Sequence, residues 1–164
     1  MRISDTPDET NLVLLEGIWN DIESFSLQHK SEFIWLLDFI LQKRYKSVLE
    51  IGSYKGGSAV GFARVGLDPV ICIDKDFHTD FYKNTLTYRP PITPFQVSSE
   101  AFGGLEILPS IDVLFIDGEH TYEGAKKDFE KFFPKVREGG MAVFHDIRPS
   151  DGTNYYGCAD YFKE

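Results

Sequence analysis

Residues 47–58 read Ser-Val-Leu-Glu-Ile-Gly-Ser-Tyr-Lys-Gly-Gly-Ser, and the rest of the chain is arranged around them. Val48, Leu49 and Ile51 form a short apolar run with β-branched residues, bounded by Lys46 and Gly52. That is the pattern of a buried parallel strand. Gly52, Gly56 and Gly57 admit a tight turn without Cβ clashes, so backbone N–H groups can approach a ligand closely. A helix is expected from about Ser58, its positive N-terminal end facing the turn. Strand, bend and helix together make a cofactor cradle at the carboxyl edge of a sheet. An ordinary glycine-rich βα turn has the same local sequence, so the bend alone favours the cradle modestly.

The chain has 164 residues, enough for a single domain spanning 1–164. A chain of that size buries roughly 70% of its unfolded surface. Its 17 basic and 26 acidic residues give a net charge of −9. Without a basic stripe, binding to nucleic acid or to an anionic membrane through bulk charge is not expected. A small-molecule or cationic ligand is compatible. The first residues lack the apolar core of a signal peptide, and no apolar run approaches the ~20 residues of a membrane span. Cys72 and Cys158 do not make a disulfide framework. These features read as a soluble, cytoplasmic protein.

Residues 1–9 are polar and expected to fray. From Thr10 the pattern turns helical, with Leu12, Leu15, Trp19 and Ile22 at three- and four-residue spacing. A second helix over 31–44 presents Phe33, Leu36, Leu37, Ile40 and Leu41, with Ser31 as its N-cap. These make an N-terminal helical preface over 1–45 that covers the ligand site or packs on the sheet. The core over 46–147 alternates strands with helical patterns. Strands are expected at 48–51, 70–74, 93–97 and 111–117, with a weak helix at 79–87 and a short one at 99–108. Pro90 and Pro91 break the chain before the third strand. An amphipathic helix then places Tyr122, Ala125, Phe129, Phe132 and Val136 on one face. Pro134 loosens its last turn, Gly139 and Gly140 stop it, and 141–145 make a fifth strand. A tail or helix remains over 148–164. Strands separated by helices argue for a doubly wound parallel sheet in an α/β fold.

Acids recur at the strand ends. Glu50 lies inside the first strand, Asp74 ends the second, Asp117 ends the fourth and Asp146 follows the fifth. In a parallel sheet these ends share one edge, so four carboxylates gather around the bend after Gly52. Charged groups seldom sit in partly buried places without partners. Capping of the next helix accounts for any one of them, and poorly for all four. Asp74 lies about 20 residues beyond Gly52, where an acid accepts hydrogen bonds from both ribose hydroxyls of an adenosine. That position suits a nicotinamide dinucleotide or S-adenosylmethionine. A dinucleotide site favours G-x-G-x-x-G, whereas Tyr54 stands at the second glycine here and Glu50 precedes the bend. An acid facing a diphosphate is repelled; one near the ammonium and sulfonium of S-adenosylmethionine is favoured. Charge favours the methyl donor, with an NAD-dependent oxidoreductase as the alternative.

The run Glu50-Ile-Gly-x-x-x-Gly-Gly-Ser58 resembles motif I of class I S-adenosylmethionine-dependent methyltransferases. Residues 115–129, Phe-Ile-Asp-Gly-Glu-His-Thr-Tyr-Glu-Gly-Ala-Lys-Lys-Asp-Phe, are more specific. With Gly139-Gly140 and Phe144-His145-Asp146, they resemble the branch containing cephalosporin-hydroxylase-like and sugar or macrolide O-methyltransferases. The resemblance spans 45–147 and leaves out the N-terminal helices. It implies a Rossmann-like fold of about five strands, and transfer of a methyl group to a hydroxyl of a small molecule. Glu50, Gly52 and Ser58 would line the methionine part, beside Ser53, Gly56 and Gly57 of the same bend. Asp74 would hold the ribose, Ser98 or Ser99 the adenine edge, and Asp117 a place beside the cofactor.

The same resemblance implies a divalent metal, magnesium or another, on Asp117, His145 and Asp146. The two carboxylates suit magnesium, whereas His145 replaces the usual carboxylate or amide and points toward a transition metal. Metal and no metal stay open, since His145 also reads as a hydrogen-bonded residue under the cofactor. His120 follows Asp117 by three residues, the interval at which metal-dependent catechol-type relatives carry a lysine base. A histidine there suits proton removal from a hydroxyl, or it caps the helix and holds Asp117. His29 and His78 read as surface residues. Relatives usually add a helix and an antiparallel hairpin after the fifth strand, which the remaining residues do not supply. An open fifth strand implies cover by a second copy, in a homo-oligomer, or by the N-terminal segment. A catalytically silent cofactor-binding module is the other reading.

Overall fold

The computed structural model describes residues 8–88 and 92–146. Five strands, β1 (Val48–Ile51), β2 (Val70–Asp74), β3 (Ile92–Gln96), β4 (Ile111–Ile116) and β5 (Val136–Phe144), form one sheet in the order β3-β2-β1-β4-β5. Every pairing is parallel. Helices α1 (Glu9–Ile22), α2 (Lys30–Lys43), α3 (Gly57–Arg64), α4 (Phe81–Thr85) and α5 (Tyr122–Phe132) surround it. This is the doubly wound Rossmann-like sheet with a helical preface that the sequence implies. The chain runs outward from β1 through β2 to β3, then returns to place β4 on the other side of β1. The crevice outside the carboxyl ends of β1 and β4 is therefore the switch point, where ligands bind in such sheets.

Alternation along the strands builds two cores. Val48, Val70, Cys72, Val113 and Phe115 pack with Leu15, Ile18, Phe33, Leu37 and Phe62 of α1, α2 and α3. Leu49, Ile51, Ile73, Leu114 and Ile116 pack with Phe102, Leu108 and Phe132 on the opposite face. Phe62 is fully buried and meets Phe33 and Phe115 edge-on, with ring centroids 5.5 and 5.4 Å away. Asp38, buried on α2, joins the two preface helices by accepting from Asn11 Nδ2 at 2.8 Å.

Several boundaries differ from the sequence expectations. On α1, Ile18 completes the buried face, whereas Leu12 is 40% exposed. Helix α2 starts at Lys30 with His29 in the capping position, so Ser31 lies inside the first turn and does not cap. The helix expected at 99–108 shrinks to a 3-10 turn at Leu105–Ile107, because Gly103 and Gly104 withdraw helical support. Helix α5 ends at Phe132, and a 3-10 turn at Phe133–Lys135 accommodates Pro134. Val136 is therefore the first residue of β5 rather than part of a helical face.

Gly139 and Gly140 lie within β5 instead of before it. Its register on β4 shifts between Ile111 and Val113, which pair with Val136 and Met141. The excursion needs glycine: Gly139 has φ +78°, and a Cβ on Gly140 would lie 2.6 Å from the Asp112 carbonyl oxygen. Buried Asp112 anchors it from the amino end of β4. Its carboxylate accepts from the Ser47 N–H at 3.1 Å, from the Lys46 N–H and from Arg137 Nε. Tyr45 donates its hydroxyl to the Gly139 carbonyl at 2.9 Å. Among the described residues β5 pairs with β4 alone. Residues 148–164, Cys158 included, lie outside the described residues, as do Pro90 and Pro91. No helix among the described residues is long and apolar enough to cross a membrane.

Candidate active site

A cavity of about 690 Å³ opens at the switch point. Gly52, Ser53, Gly57 and Ser58 of the bend line it, with Asp74 after β2, Ser98 and Ser99 after β3, Asp117 after β4, His120, and His145 and Asp146 after β5. The ends of β1 and β4 approach so closely that a Cβ on Gly52 would lie 2.2 Å from the Asp117 carbonyl oxygen. Gly52 also has φ +83°, a conformation open to glycine and strained for other residues.

Two residues expected at the ligand lie outside this lining. Gly56 is the N-cap of α3 and turns toward α4, where a Cβ would meet Thr85 at 2.6 Å. Glu50 sits beneath the bend, fully enclosed. Ser53 Oγ donates to it at 2.5 Å, Ser58 Oγ donates to its other oxygen, and Cys72 Sγ lies at 3.3 Å. Burial pushes its carboxyl up to about 7, against those three hydrogen bonds. Glu50 braces the bend rather than facing the cavity. Asp74 does face it, yet its Oδ2 accepts the N–H groups of Ser53 at 2.8 Å and Tyr54 at 2.9 Å. The acid expected at the ribose thus also shapes the loop before it.

At the far end Asp117, His120, His145 and Asp146 converge. His120 Nε2 lies 3.5 Å from Asp117 Oδ1 and 3.3 Å from Asp146 Oδ2. His145 Nδ1 lies 3.2 Å from an oxygen of each carboxylate. Burial opposes ionisation of Asp117, but hydrogen bonds from His120, His145 and Gln28 outweigh it and hold the carboxyl below its ordinary range. The Asp117 hydrogen bond raises His120. Burial pulls His145 down, but the two carboxylates more than offset that and lift it to about 9. Among the described residues, the set that offers one ligand atom each within 4.8 Å of one another is Asp117, His120 and Asp146. His145, which the sequence reading grouped with Asp117 and Asp146, lies alongside both carboxylates.

The preface, expected to cover the ligand site or pack on the sheet, enters the site through the connection between its helices, whose residues the sequence reading did not single out. Phe25, Ser26, Leu27, Gln28 and His29 form one wall, and Gln28 Nε2 donates to Asp117 Oδ2 at 2.8 Å. Asp128 was also missed. It is buried on α5 and lines the cavity beside Ser99, its carboxyl pushed up by burial. Its signal was present: Ala125, Asp128 and Phe132 share the buried face of α5, an acid on an apolar stripe. His78, read as a surface residue, is half-buried against Tyr54, with ring centroids 5.0 Å apart.

Fold and cavity define a Rossmann-like domain with its ligand crevice at the strand-order reversal. The chain belongs to the methyltransferase-domain family, whose profile matches residues 49–147. A mimivirus protein of Acanthamoeba polyphaga, R132, is 30% identical over 114 residues, covering 61% of this chain and 51% of that one. Protein y4gI of Sinorhizobium fredii is 27% identical across 94% of this chain and 18% of its own. The chain thus spans about half of one curated relative and under a fifth of the other. Among solved structures, the Bacillus cereus O-methyltransferase in complex with SAH matches at TM-score 0.68 and 15% identity, over 96% of this chain and 79% of that one. The MycE methyltransferase of the mycinamycin pathway, in complex with Mg, SAH and mycinamycin VI, matches at 0.61 and 22%, over 81% and 39%. These likenesses establish the class I methyltransferase fold.

Proposed function

We propose that the chain binds S-adenosylmethionine over the glycine bend and transfers its methyl group to a hydroxyl of a small molecule. The observation that carries this reading is the convergence on one cavity of the bend, Asp74, Ser98, Ser99 and the Asp117–His120 pair. Charge supports the choice of cofactor. Seven carboxylates and only two lysines line the cavity, which suits a sulfonium and an ammonium and opposes a diphosphate. Asp74 accepts from the ribose hydroxyls, and Ser98 and Ser99 border the adenine.

The donor already carries an activated methyl group, so the protein mainly positions it against the acceptor. The carbon–sulfur bond breaks as the carbon–oxygen bond forms, and the sulfonium leaves as a neutral thioether. His120 takes the hydroxyl proton at Nδ1, because Nε2 holds its own hydrogen toward Asp117 and Asp146. Asp117 and Asp146 beside it stabilise the imidazolium that results, and the same contacts make the imidazole a stronger base.

A second reading of the same cluster is favoured by its ligand spacing. Two carboxylates and an imidazole fit a divalent ion, with Asp117, His120 and Asp146 as the holders. When bound, such an ion would lower the pKa of a hydroxyl it contacts. His120 would then be a ligand rather than the base.

Calorimetry with S-adenosylhomocysteine and with NAD tests the cofactor assignment. Saturable binding of the former without the latter is expected. Tighter binding of NAD would overturn the reading in favour of an oxidoreductase.

A further inference from the structure

We infer that Gln28 is a positioning residue for Asp117, which makes the α1–α2 connection part of the reaction centre; the inference rests on the role given to Asp117 above. The two residues are 89 positions apart in sequence, yet Gln28 Nε2 donates to Asp117 Oδ2 at 2.8 Å. That bond fixes which oxygen does what. With Oδ2 engaged by the carboxamide, Oδ1 is the oxygen turned toward His120 at 3.5 Å and His145 at 3.2 Å. A free carboxylate rotates about χ2 and exchanges its two oxygens. One held by a directed donor presents a single oxygen to the histidine that moves the proton.

Gln28 is itself held. Its backbone N–H donates to Ser26 Oγ at 3.2 Å, and it immediately precedes the capping residue of α2. Ser26 in turn lies against the start of α3, where a Cβ on Gly57 would fall 2.6 Å from the Ser26 Cα. The wall that carries Gln28 is therefore seated on the glycine bend itself. A bent loop, a serine and a glutamine thus convert the packing of the preface helices into the orientation of one carboxylate. A glutamine suits this position better than a charged donor. It supplies an N–H without cancelling the negative charge that His120 faces.

The test compares the full chain with Gln28→Met, which keeps the length of the side chain and removes the donor, and with Gln28→Asn, which keeps the carboxamide and shortens its reach. Asp117→Asn serves as the reference. Two readouts are taken at one fixed pH: imidazole 15N spectra of His120, and S-adenosylhomocysteine affinity by calorimetry. Both Gln28 variants are expected to move the His120 Nε2 resonance in the direction that Asp117→Asn moves it. Cofactor-product affinity is expected to fall less in either Gln28 variant than in Asp117→Asn, because Gln28 acts through the Asp117 carboxylate. Gln28→Met spectra that match the wild type, with Asp117→Asn spectra that do not, would overturn the inference alone. Loss of S-adenosylhomocysteine binding in both Gln28 variants would also overturn it, by placing Gln28 in the cofactor site or the fold. An Asp117→Asn spectrum unchanged from wild type would overturn the Asp117–His120 pairing and the inference with it.

Discussion

Asp74 Oδ2 accepts the backbone hydrogen of Ser53 at 2.8 Å, so the residue read as the ribose acceptor also ties the glycine bend to the end of β2. One oxygen serves the loop, with Tyr54 as a second donor at 2.9 Å. Asp74→Ala removes the loop anchor and the ribose partner together. S-Adenosylhomocysteine affinity is expected to fall roughly tenfold to a hundredfold, the worth of one or two charge-assisted hydrogen bonds. Asp74→Asn keeps an acceptor for the loop and should lose less. Equal calorimetric affinities for wild type and the alanine variant would remove Asp74 from the cofactor site.

Glu50 gives stability a pH dependence of definite sign. Its carboxyl rises from an ordinary 4.5 to about 7 in the folded chain, because burial penalises the anion. The folded state therefore holds the proton more tightly than the unfolded one. Stability from this group is complete below 4.5 and is lost as pH rises through 7, a change of about 3 kcal/mol. Glu50→Gln lacks that slope. Urea unfolding at several pH values should show the wild type losing ground to the variant between those limits and no further change above them; parallel curves would contradict this.

Two glycines with left-handed backbones should respond very differently to alanine. Gly52 and Gly66 have φ +83° and +89°, so both substitutions incur the left-handed strain of about 1–2 kcal/mol. Only Gly52 has a backbone oxygen 2.2 Å from the added carbon, whereas nothing lies within 4 Å at Gly66. Gly52→Ala is expected to cost roughly 3–5 kcal/mol and to abolish cofactor binding. Gly66→Ala should lower thermal stability modestly and leave binding intact.

Asp112 is a stability residue remote from the cavity. Alanine there strands the N–H groups of Lys46 and Ser47 and removes the partner of Arg137. A loss of roughly 2–4 kcal/mol is expected on unfolding. S-Adenosylhomocysteine affinity measured well below the melting temperature should be unchanged.

His120→Ala separates binding from chemistry. Calorimetry should find S-adenosylhomocysteine affinity close to wild type, while methyl transfer across a panel of hydroxylated acceptors slows by roughly 10²- to 10⁴-fold. Undiminished transfer would assign the base elsewhere.

What was legible in the sequence follows from how each feature is encoded. Strands β1 and β2 carry their boundaries openly, because a strand buried on both faces is a continuous apolar run closed by a polar residue or a glycine. Strand β5 was cut short because Gly139 and Gly140 look like a helix stop. Their role in a register shift depends on Asp112, which lies on another strand. The acids at the strand tips were visible, since parallel topology alone brings them to one edge. Which of them face inward was not: Glu50 is turned under the bend by Ser53, Ser58 and Cys72. How His120 and His145 stand to the two carboxylates needed distances, and Gln28 lies in a connection with no periodicity to reveal it.

The stretch between Val136 and Met141 acts as a phase setter for the last strand. It holds more residues than the β4 segment it faces, and the surplus decides which side chains of β5 look toward α1 and α3 and which toward α5. A one-residue slip of β5 on β4 would interchange Met141 and Val143 with Ala142 and Phe144, and would rotate His145 away from Asp117. The register set on the side of the sheet remote from the crevice therefore decides which side chain after β5 faces it. Homologues that vary in length at this point should have lost the imidazole after β5 or recovered its facing by a compensating insertion.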